Sequence, residues 1–310
     1  MKFIDNLLDK ASHAMKSFVG ENERLRLIEE CKKCVSQYEN QLDQSRTVVN
    51  QQIGMYNDTV PLINQKRRSE FKAILVELHT FLQNFGNIGV NNWGFSFEFT
   101  KSEQLGFREE REIAEYRNNI AVFEKTENQI FDDAVKGVIF GLKIENKKQN
   151  LQIEQVKNDI ALAVQKMQNE YATMSASWRD RTEIAHTYLD CIELICETIN
   201  TKIVPELEMI LAFLKAESVK NLVISDQPIH EVQPADISII KGTIYGKHYT
   251  FVKNAFLFYI LSREFYQSPI LTRIAQPERY SDCSNDKYLL YKQKEVLEQQ
   301  ADILSADIMG

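Results

Sequence analysis

Residues 153–203 read IEQVKNDIALAVQKMQNEYATMSASWRDRTEIAHTYLDCIELICETINTKI. Apolar residues recur in this stretch at steps of three and four, the spacing that aligns them on one face of an α-helix. The positions that follow this spacing are Ile153, Val156, Ile160, Ala163 or Val164, Met167, Tyr171, Met174, Trp178, Ala185, Leu189, Ile192, Ile195, Ile199 and Ile203. Proline, which interrupts helices, does not occur between Pro61 and Pro205. About fifty residues at the helical rise would reach roughly 75 Å, so the sequence predicts an elongated, mainly α protein.

The same spacing begins further upstream and predicts a long helical stalk over residues 102–218. Within residues 107–136 it runs through Ile113, Tyr116, Ile120, Phe123, Ile130 and Ala134. Segment 137–141, which has glycine at both ends, then separates two helical segments of similar length. If the chain reverses there, residues 107–136 and 142–172 form a long-helix hairpin or coiled-coil bundle roughly 45 Å long. If the helix runs straight through, the two glycines would let a neighbouring helix approach closely.

A reversal would place four apolar side chains at the tip of this hairpin, away from the main core. They are Val138, Ile139, Phe140 and Leu142. Apolar residues exposed at such a tip would enter a membrane or a socket on a partner. An elongated helical hairpin with a short apolar tip is similar in outline to α-helical pore-forming proteins, although no motif carries that similarity. The alternative is a loop that folds back onto the bundle.

Residues 1–86 are predicted to form N-terminal helices that pack on the stalk. One helix is expected over about residues 22–57, and the next carries Pro61 in its first turn and ends at Gly86. The basic cluster at residues 66–68 would be a solvated face of that helix. Pro205 is expected to kink or end the long helix of the stalk.

The first helix, over residues 2–19, has an apolar face that includes Phe3, Leu7 and Leu8. Its polar face carries nearly equal numbers of acidic and basic side chains. Helices that anchor to membranes usually have a clearly basic polar face, so we expect this helix to dock on the protein core. The alternative is an interfacial membrane anchor.

The helical period changes at residues 87–101 and again in a C-terminal module, residues 219–310. In the first region Trp93, Phe95, Phe97 and Phe99 alternate with small or polar residues, which predicts a strand or short hairpin. The elements predicted in the second are a short strand at 222–224, a hairpin at 237–252, an apolar helix at 255–266 and a helix at 286–303 capped by Ser284 or Asn285. Because an isolated hairpin is marginal in water, we expect residues 88–100 and 220–310 to form one small α+β module.

Composition favours a soluble cytoplasmic protein that could lie peripheral to a membrane. The apolar fraction of 44% and the charged fraction of 26% are ordinary for a globular chain. The formal net charge of −7 argues against a nucleic-acid partner. No apolar run approaches the roughly 18 residues of a spanning helix. Five cysteines, an odd number, and the lack of a recognisable signal peptide favour free thiols in a reducing compartment.

Two residue clusters match metal sites in part. Cys31-Lys-Lys-Cys34 has the CxxC spacing, but no second pair accompanies it and Cys31 falls on the apolar stripe of its helix, so core cysteines are favoured. Glu183-x-x-His186, with further carboxylates downstream, matches half of a carboxylate-bridged metal site. The second half is missing from the sequence, so an exposed helix face is favoured and no metal or cofactor is predicted.

These observations support three hypotheses. The leading one is a non-enzymatic interaction or scaffold subunit of a multi-protein assembly, in which the stalk binds a protein partner or a second copy of the chain. The alternative is a membrane-active helical protein that uses the 137–142 tip or the N-terminal helix. The weaker alternative is an enzyme whose site is assembled from distant residues, since phosphate-loop, dinucleotide, nucleophile-elbow and HExxH signatures are missing from the sequence.

Overall fold

The computed structural model describes residues 21–86, 149–224, 235–277, 279–280 and 282–309. Of these residues 89% are helical, and strand is almost absent from them. The prediction of a mainly α chain with long helices is therefore confirmed. The chain divides into two compact units, which are Met1–Tyr56 with Tyr116–Arg179 (unit 1) and Asn57–Glu115 with Asp180–Gly310 (unit 2).

Two long helical stretches dominate the described residues, and each contains one π-helical turn. The first comprises α1 (Glu21–Lys66), the π-turn Arg67–Phe71 and α2 (Lys72–Leu82). The second comprises α3 (Gln149–Thr198), the π-turn Ile199–Ile203 and α4 (Val204–Ile224). The remaining elements are β1 (Phe85–Gly86), β2 (Ala235–Asp236), a 3-10 helix (Ile237–Ile240), α5 (Gly246–Tyr266), α6 (Ile270–Ile274) and α7 (Ser284–Met309).

The prediction that a new helix begins at Pro61 was wrong, and at Pro205, where a kink or an end was predicted, the helix does not end. Pro61 lies inside α1, and Pro205 lies at the start of α4, which continues directly from the preceding π-turn. Both prolines are exposed, while the apolar stripe beside Pro61 stays buried at Val60 and Ile63. An interior proline costs about 3 kcal/mol, whereas burying one large aliphatic side chain contributes about 1.5–3 kcal/mol, so a continuous stripe outweighs the interruption.

The hairpin predicted over residues 237–252 was also wrong, as was the strand at 222–224, which lies in α4. The chain instead forms the 3-10 helix Ile237–Ile240 and then enters α5 at Gly246. The aromatic and β-branched residues there favour strands locally, but from Phe251 onward the apolar residues of α5 form a buried helical stripe. Its buried members include Phe251, Val252, Ala255, Phe256, Phe258 and Tyr259.

Unit 1 contains a parallel pair of helical segments from α1 and α3. Gln168 donates from Nε2 to Oε1 of Gln41 at 3.2 Å. Further along both segments, the rings of Tyr56 and Trp178 meet edge to face with centroids 5.4 Å apart. Both rings are buried, so this aromatic contact is part of the apolar core between the two segments.

Two arginines are buried inside unit 2, and one of them, Arg67, belongs to the cluster 66–68 that was predicted to be solvated, whereas its neighbour Arg68 is exposed. Arg67 is 8% exposed and donates to the backbone oxygen of Tyr266. Arg181 is fully buried and donates from Nη1 to the backbone oxygen of Ile274 at 2.9 Å and from Nη2 to that of Tyr280. Because a buried guanidinium needs hydrogen-bond acceptors, these two side chains attach the end of α5 and the segment that follows it to α3 and the π-turn Arg67–Phe71.

The only sheet among the described residues is a two-residue parallel bridge. Phe85 pairs with Ala235, and Gly86 pairs with Asp236. The predicted strand at 88–100 lies outside the described residues, as do residues 1–20 and the whole of segment 137–142. Within the described part of 220–310, everything except β2 and its connecting turns is helical.

Candidate functional site

The C-terminal helix α7 is longer than predicted, and its inner side is firmly attached to unit 2. The carboxylate of Asp282 accepts a hydrogen bond from the backbone N–H of Ser284, which lowers the pKa of Asp282 and caps the first turn. The apolar side chains that α7 buries are Leu290, Leu297, Ala301 and Leu304. Deeper polar contacts join α7 to α5, because Asn254 donates to Asp307 at 2.7 Å.

A ladder of polar contacts also joins α7 to α3 and the π-turn that follows it. Lys287 Nζ lies 2.7 Å from Glu183 Oε2 and 3.0 Å from Asp180 Oδ1. Lys294 Nζ reaches Asp190 at 3.2 Å, and Lys202 Nζ donates to Ser305 Oγ at 2.8 Å. The partners advance together along both segments, so α7 runs parallel to this part of α3 in a fixed register.

The contacts between α7 and α3 also shift the pKa values of Lys287, Lys294 and Tyr291. The hydrogen bond to Glu183 raises the pKa of Lys287, with a further contribution from Asp180. Burial alone would lower the pKa of Lys294, but the hydrogen bond and charge of Asp190 raise it above the ordinary value. The hydrogen bond that Tyr291 donates to Glu183 at 2.6 Å raises the pKa of Tyr291. All three groups therefore stay protonated at neutral pH, as the ladder requires.

The outer side of α7 carries an apolar stripe that stays exposed within the described part of the chain. Leu289 is 41% exposed, Val296 is 43% exposed and Ile303 is 45% exposed. These three residues, the α7 stripe, are spaced seven apart and therefore lie along one face of the helix, as one of the two apolar positions of a coiled-coil heptad does. An exposed apolar row on a helix that is already fixed on its other side is a candidate site for binding another helix.

Charged residues flank the α7 stripe in an asymmetric way. Lys292 lies between Leu289 and Val296, where it pairs with Glu295 at 2.7 Å on the surface. Asp302 lies beside Ile303 and is exposed. Lys292 therefore lies near one end of the stripe and Asp302 near the other, while two further exposed carboxylates, Glu295 and Glu298, lie near Val296. In a second copy of reverse orientation, the two ends of the stripe are complementary in charge.

No family model, curated protein or solved structure matches this chain. The exposure, spacing and charge of α7 are accordingly the observations that bear on its role.

The contact residues predicted from the sequence lie outside the described residues. They are Val138, Ile139, Phe140, Leu142, Phe3, Leu7 and Leu8. None of the described helices combines the length and the apolarity that crossing a bilayer requires.

Cys191 and Cys196 are buried in the core, and the side chains of Glu183 and His186 contact other protein side chains. Burial raises the pKa of Cys191 and of Cys196 to about 12 each, so both are neutral thiols at pH 7. Glu183 is bound by Lys287 and Tyr291, while His186 Nε2 lies 3.4 Å from Thr59 Oγ1. Over the ranges that the structure describes, no group of three His, Cys, Asp or Glu side chains is placed to hold a metal ion. Cys31 and Cys34 lie within α1.

The α7 stripe is a site that sequence reasoning missed, although a signal for it was present. Leu289, Val296 and Ile303 stand seven residues apart in the sequence, beside the equally apolar positions Leu290, Leu297 and Leu304. The two rows are one residue apart, so periodicity cannot decide which one is buried. Only the packing of α7 on α3 and α5 distinguishes them.

Proposed function

We propose that this chain is a non-enzymatic interaction or scaffold subunit of a multi-protein intracellular assembly and that it associates through its helices. The observation that carries this proposal is the exposed α7 stripe on a helix whose opposite side is locked by the Lys287 and Lys294 contacts. A rigid helix that presents apolar residues at heptad spacing favours helix–helix association. Because the register on α3 is fixed, binding of a further helix would not require α7 to rearrange.

The occupant of the α7 stripe is a second copy of the chain, in antiparallel orientation. A two-fold axis beside Val296 would pair each Leu289 with Ile303 of the other copy, since both lie seven residues from Val296. The same axis brings Lys292 of one copy near Asp302 of the other. A parallel arrangement would instead place every like charge side by side, so the Lys292–Asp302 pairing favours the antiparallel one.

The size of the stripe sets the expected strength of this association. Stable interfaces bury roughly 1,200–2,000 Å² in total, and three apolar side chains per copy with their polar flanks fall at or below the lower end of that range. We therefore expect a dimer whose population depends on protein concentration. Permanent assembly would require further contacts from elsewhere in the chain.

We also propose the helical hairpin and the α+β module that the sequence predicts. Residues 107–136 and 142–172 would form the two arms of a hairpin with segment 137–142 at its tip, offering a second binding position. Residues 88–100 would extend the small sheet, and the pairing of Phe85, just upstream of them, with Ala235 supports this. Both remain proposals about residues that lie largely outside the described ranges.

Disulfide trapping tests both the interface and its direction. Two cysteines form a disulfide only when their Cα atoms lie within about 4.4–6.8 Å. The variant Val296→Cys should form a covalent dimer on mild oxidation, and a mixture of Leu289→Cys and Ile303→Cys chains should form the mixed dimer. Val48→Cys, at a similarly exposed helical position in unit 1, is the matched control, and the unmodified chain measures the background of its own five cysteines. Cross-linking of Leu289→Cys to itself in preference to Ile303→Cys would refute the antiparallel arrangement.

A further inference from the structure

The turn between the 3-10 helix and α5 is held together by its own hydrogen bonds. Asp236 accepts from the backbone N–H of Ser238, and Lys241 N–H donates to the Ser238 oxygen at 3.1 Å. Thr243 donates to the Ile240 oxygen from both its backbone N–H and its hydroxyl, and the backbone N–H of Gly246 donates to Thr243. Gly242 has a φ of 81°, a backbone conformation that residues with a Cβ atom rarely adopt, and it allows the chain to turn there. We call residues 237–249 the basic loop.

The basic loop exposes an aliphatic side chain at its outermost point. Ile244 is 86% exposed, the largest exposed fraction among the described large apolar residues. Ile239, at 47%, and Tyr245, at 42%, lie on the same turn. Tyr245 packs on the ring of Phe213 with centroids 4.8 Å apart, which fixes the base of the tip while Ile244 projects beyond it.

The charge around this tip is positive, in a chain whose net charge is −7. No aspartate or glutamate occurs from Ile237 to Arg263, whereas Lys241, Lys247 and Lys253 do. The Nζ atoms of Lys241 and Lys253 lie 5.7 Å and 5.9 Å from the ring centroid of Tyr249, so the tertiary structure brings two ammonium groups over one ring.

Two carboxylates of the neighbouring described helices are engaged by other groups. Glu206 is engaged by His248 at 3.2 Å, and Asp307 accepts from Asn254. Neither Lys241 nor Lys247 has a carboxylate partner within the described part of the chain. An apolar tip therefore projects from a cationic rim.

We propose that the basic loop docks on the anionic surface of a lipid bilayer, with Ile244 entering the interfacial region and Lys241 and Lys247 binding phosphate headgroups. Tyr245 and Tyr249 suit the same position, because amphipathic rings favour the boundary between headgroups and acyl chains. The basic loop shares no residue with the α7 stripe, with segment 137–142 or with the N-terminal helix.

A bilayer fits this surface better than another polyanion does. A nucleic acid or an acidic peptide would be bound by the lysines alone, and an aliphatic side chain at the outermost point would then remain in water. A bilayer accepts both features, since anionic headgroups attract the lysines while the layer beneath them removes Ile244 from water. Each lysine near an anionic leaflet strengthens binding by about fivefold, so removing two should weaken it roughly thirtyfold.

Vesicle co-sedimentation of the full chain tests the proposal. Vesicles of phosphatidylcholine with about 30% phosphatidylserine are compared with pure phosphatidylcholine vesicles at low and high salt. The variants are Ile244→Asp and the double variant Lys241→Ala/Lys247→Ala. Their matched controls are Leu162→Asp, at an exposed apolar position in unit 1, and Lys33→Ala/Lys166→Ala, which changes the net charge equally at two exposed lysines.

The expected result is binding to the anionic vesicles only, weakened roughly thirtyfold by the double lysine variant and at least tenfold by Ile244→Asp. Both control variants should bind within about twofold of the unmodified chain. Circular dichroism of each variant verifies that it is folded. The proposal is overturned by absence of binding to anionic vesicles, by binding that both basic-loop variants retain, or by equal losses in the controls. Binding to heparin or RNA without binding to vesicles would also overturn it, in favour of a soluble polyanion.

Discussion

Arg67 Nη2 donates a hydrogen bond to the backbone oxygen of Tyr266 at 3.1 Å, while its guanidinium lies 4.8 Å from the centroid of the Tyr266 ring. Tyr266 is the last residue of α5, where backbone oxygens lack helical partners and a cation is favourable. Phe71, one helical turn after Arg67, also meets the Tyr266 ring, edge to face at 5.2 Å. The π-turn Arg67–Phe71 thus places a cation and an aromatic ring against the same helix end.

Arg67→Lys should destabilise unit 2 even though it keeps the charge. An ammonium group cannot reproduce the planar stacking and directed N–H groups of a guanidinium. We expect the free energy of unfolding to fall by about 1–3 kcal/mol, measured by urea denaturation. Arg68→Lys, at the exposed neighbouring position, is the control and should change it by less than about 0.5 kcal/mol. Equal effects at the two positions would contradict the role assigned to Arg67.

Glu183→Gln should weaken the ladder that fixes α7, by a modest amount. The carboxylate binds both Lys287 and Tyr291, but its side chain is 40% exposed, so solvent screens the interaction. A loss of about 0.5–1 kcal/mol is expected in the urea experiment, and high salt should reduce the difference from the unmodified chain. Glu197→Gln, on the exposed side of α3, should have no measurable effect; an equal loss there would refute the ladder's contribution.

Alkaline pH should destabilise the fold before the lysines titrate. Burial raises the pKa of Cys191 and Cys196 from 9.0 to about 12, and burial raises that of Tyr188 from 10.0 to about 12. Above about pH 9 the unfolded chain loses thiol protons that the folded chain keeps, so the free energy of unfolding falls as pH rises and is unaffected below that pH. Each buried thiol contributes a slope of up to about 1.4 kcal/mol per pH unit.

The variant Cys196→Ala tests how much one thiol contributes to the pH dependence of the free energy of unfolding. Urea midpoints of the reduced protein, recorded between about pH 8 and pH 10, should fall less steeply in Cys196→Ala than in the unmodified chain. Identical slopes would show that Cys196 ionises equally readily in the folded and unfolded states, and would contradict its burial.

The helices could be predicted from the sequence because helical periodicity is a local property. The stripe that includes Ile192, Ile195, Ile199 and Ile203 is buried as its spacing predicts. The helix start predicted at Pro61 was wrong, and the helix does not end at Pro205, because burial of apolar residues on both sides outweighed local propensity. The hairpin predicted at 237–252 failed for the same reason, since a buried stripe on α5 overrode strand propensity.

The buried arginines and the exposed stripe could not be predicted, because both depend on distant partners. Arg67 finds its acceptor at Tyr266, nearly two hundred residues away, and Arg181 finds its acceptor at Ile274. A run of basic residues carries no sign of which side chain will be enclosed. Likewise, Val296 and Leu297 are adjacent and both apolar, and only the tertiary contacts bury Leu297 and leave Val296 exposed.

The sequence also predicts membrane or partner contact at segment 137–142 and at the N-terminal helix, and flotation with anionic liposomes tests this separately. If either segment enters lipid, Phe140→Asp or Leu7→Asp should abolish flotation, because a carboxylate in the interfacial region is costly. Ile244→Asp in the same assay distinguishes the basic loop from these segments. Flotation that survives both Phe140→Asp and Leu7→Asp would contradict membrane contact there.

The most direct test of association through α7 is sedimentation velocity of the unmodified chain, Val296→Asp and Val48→Asp over a range of concentrations. The two variants make the same substitution at helical positions of similar exposure, 43% and 46%. Val296→Asp would bring two carboxylates together at the two-fold axis, so we predict a dimer that forms with concentration in the unmodified chain and in Val48→Asp but not in Val296→Asp. A monomer at every concentration in all three, or a dimer that Val296→Asp leaves intact, would contradict the proposed interface.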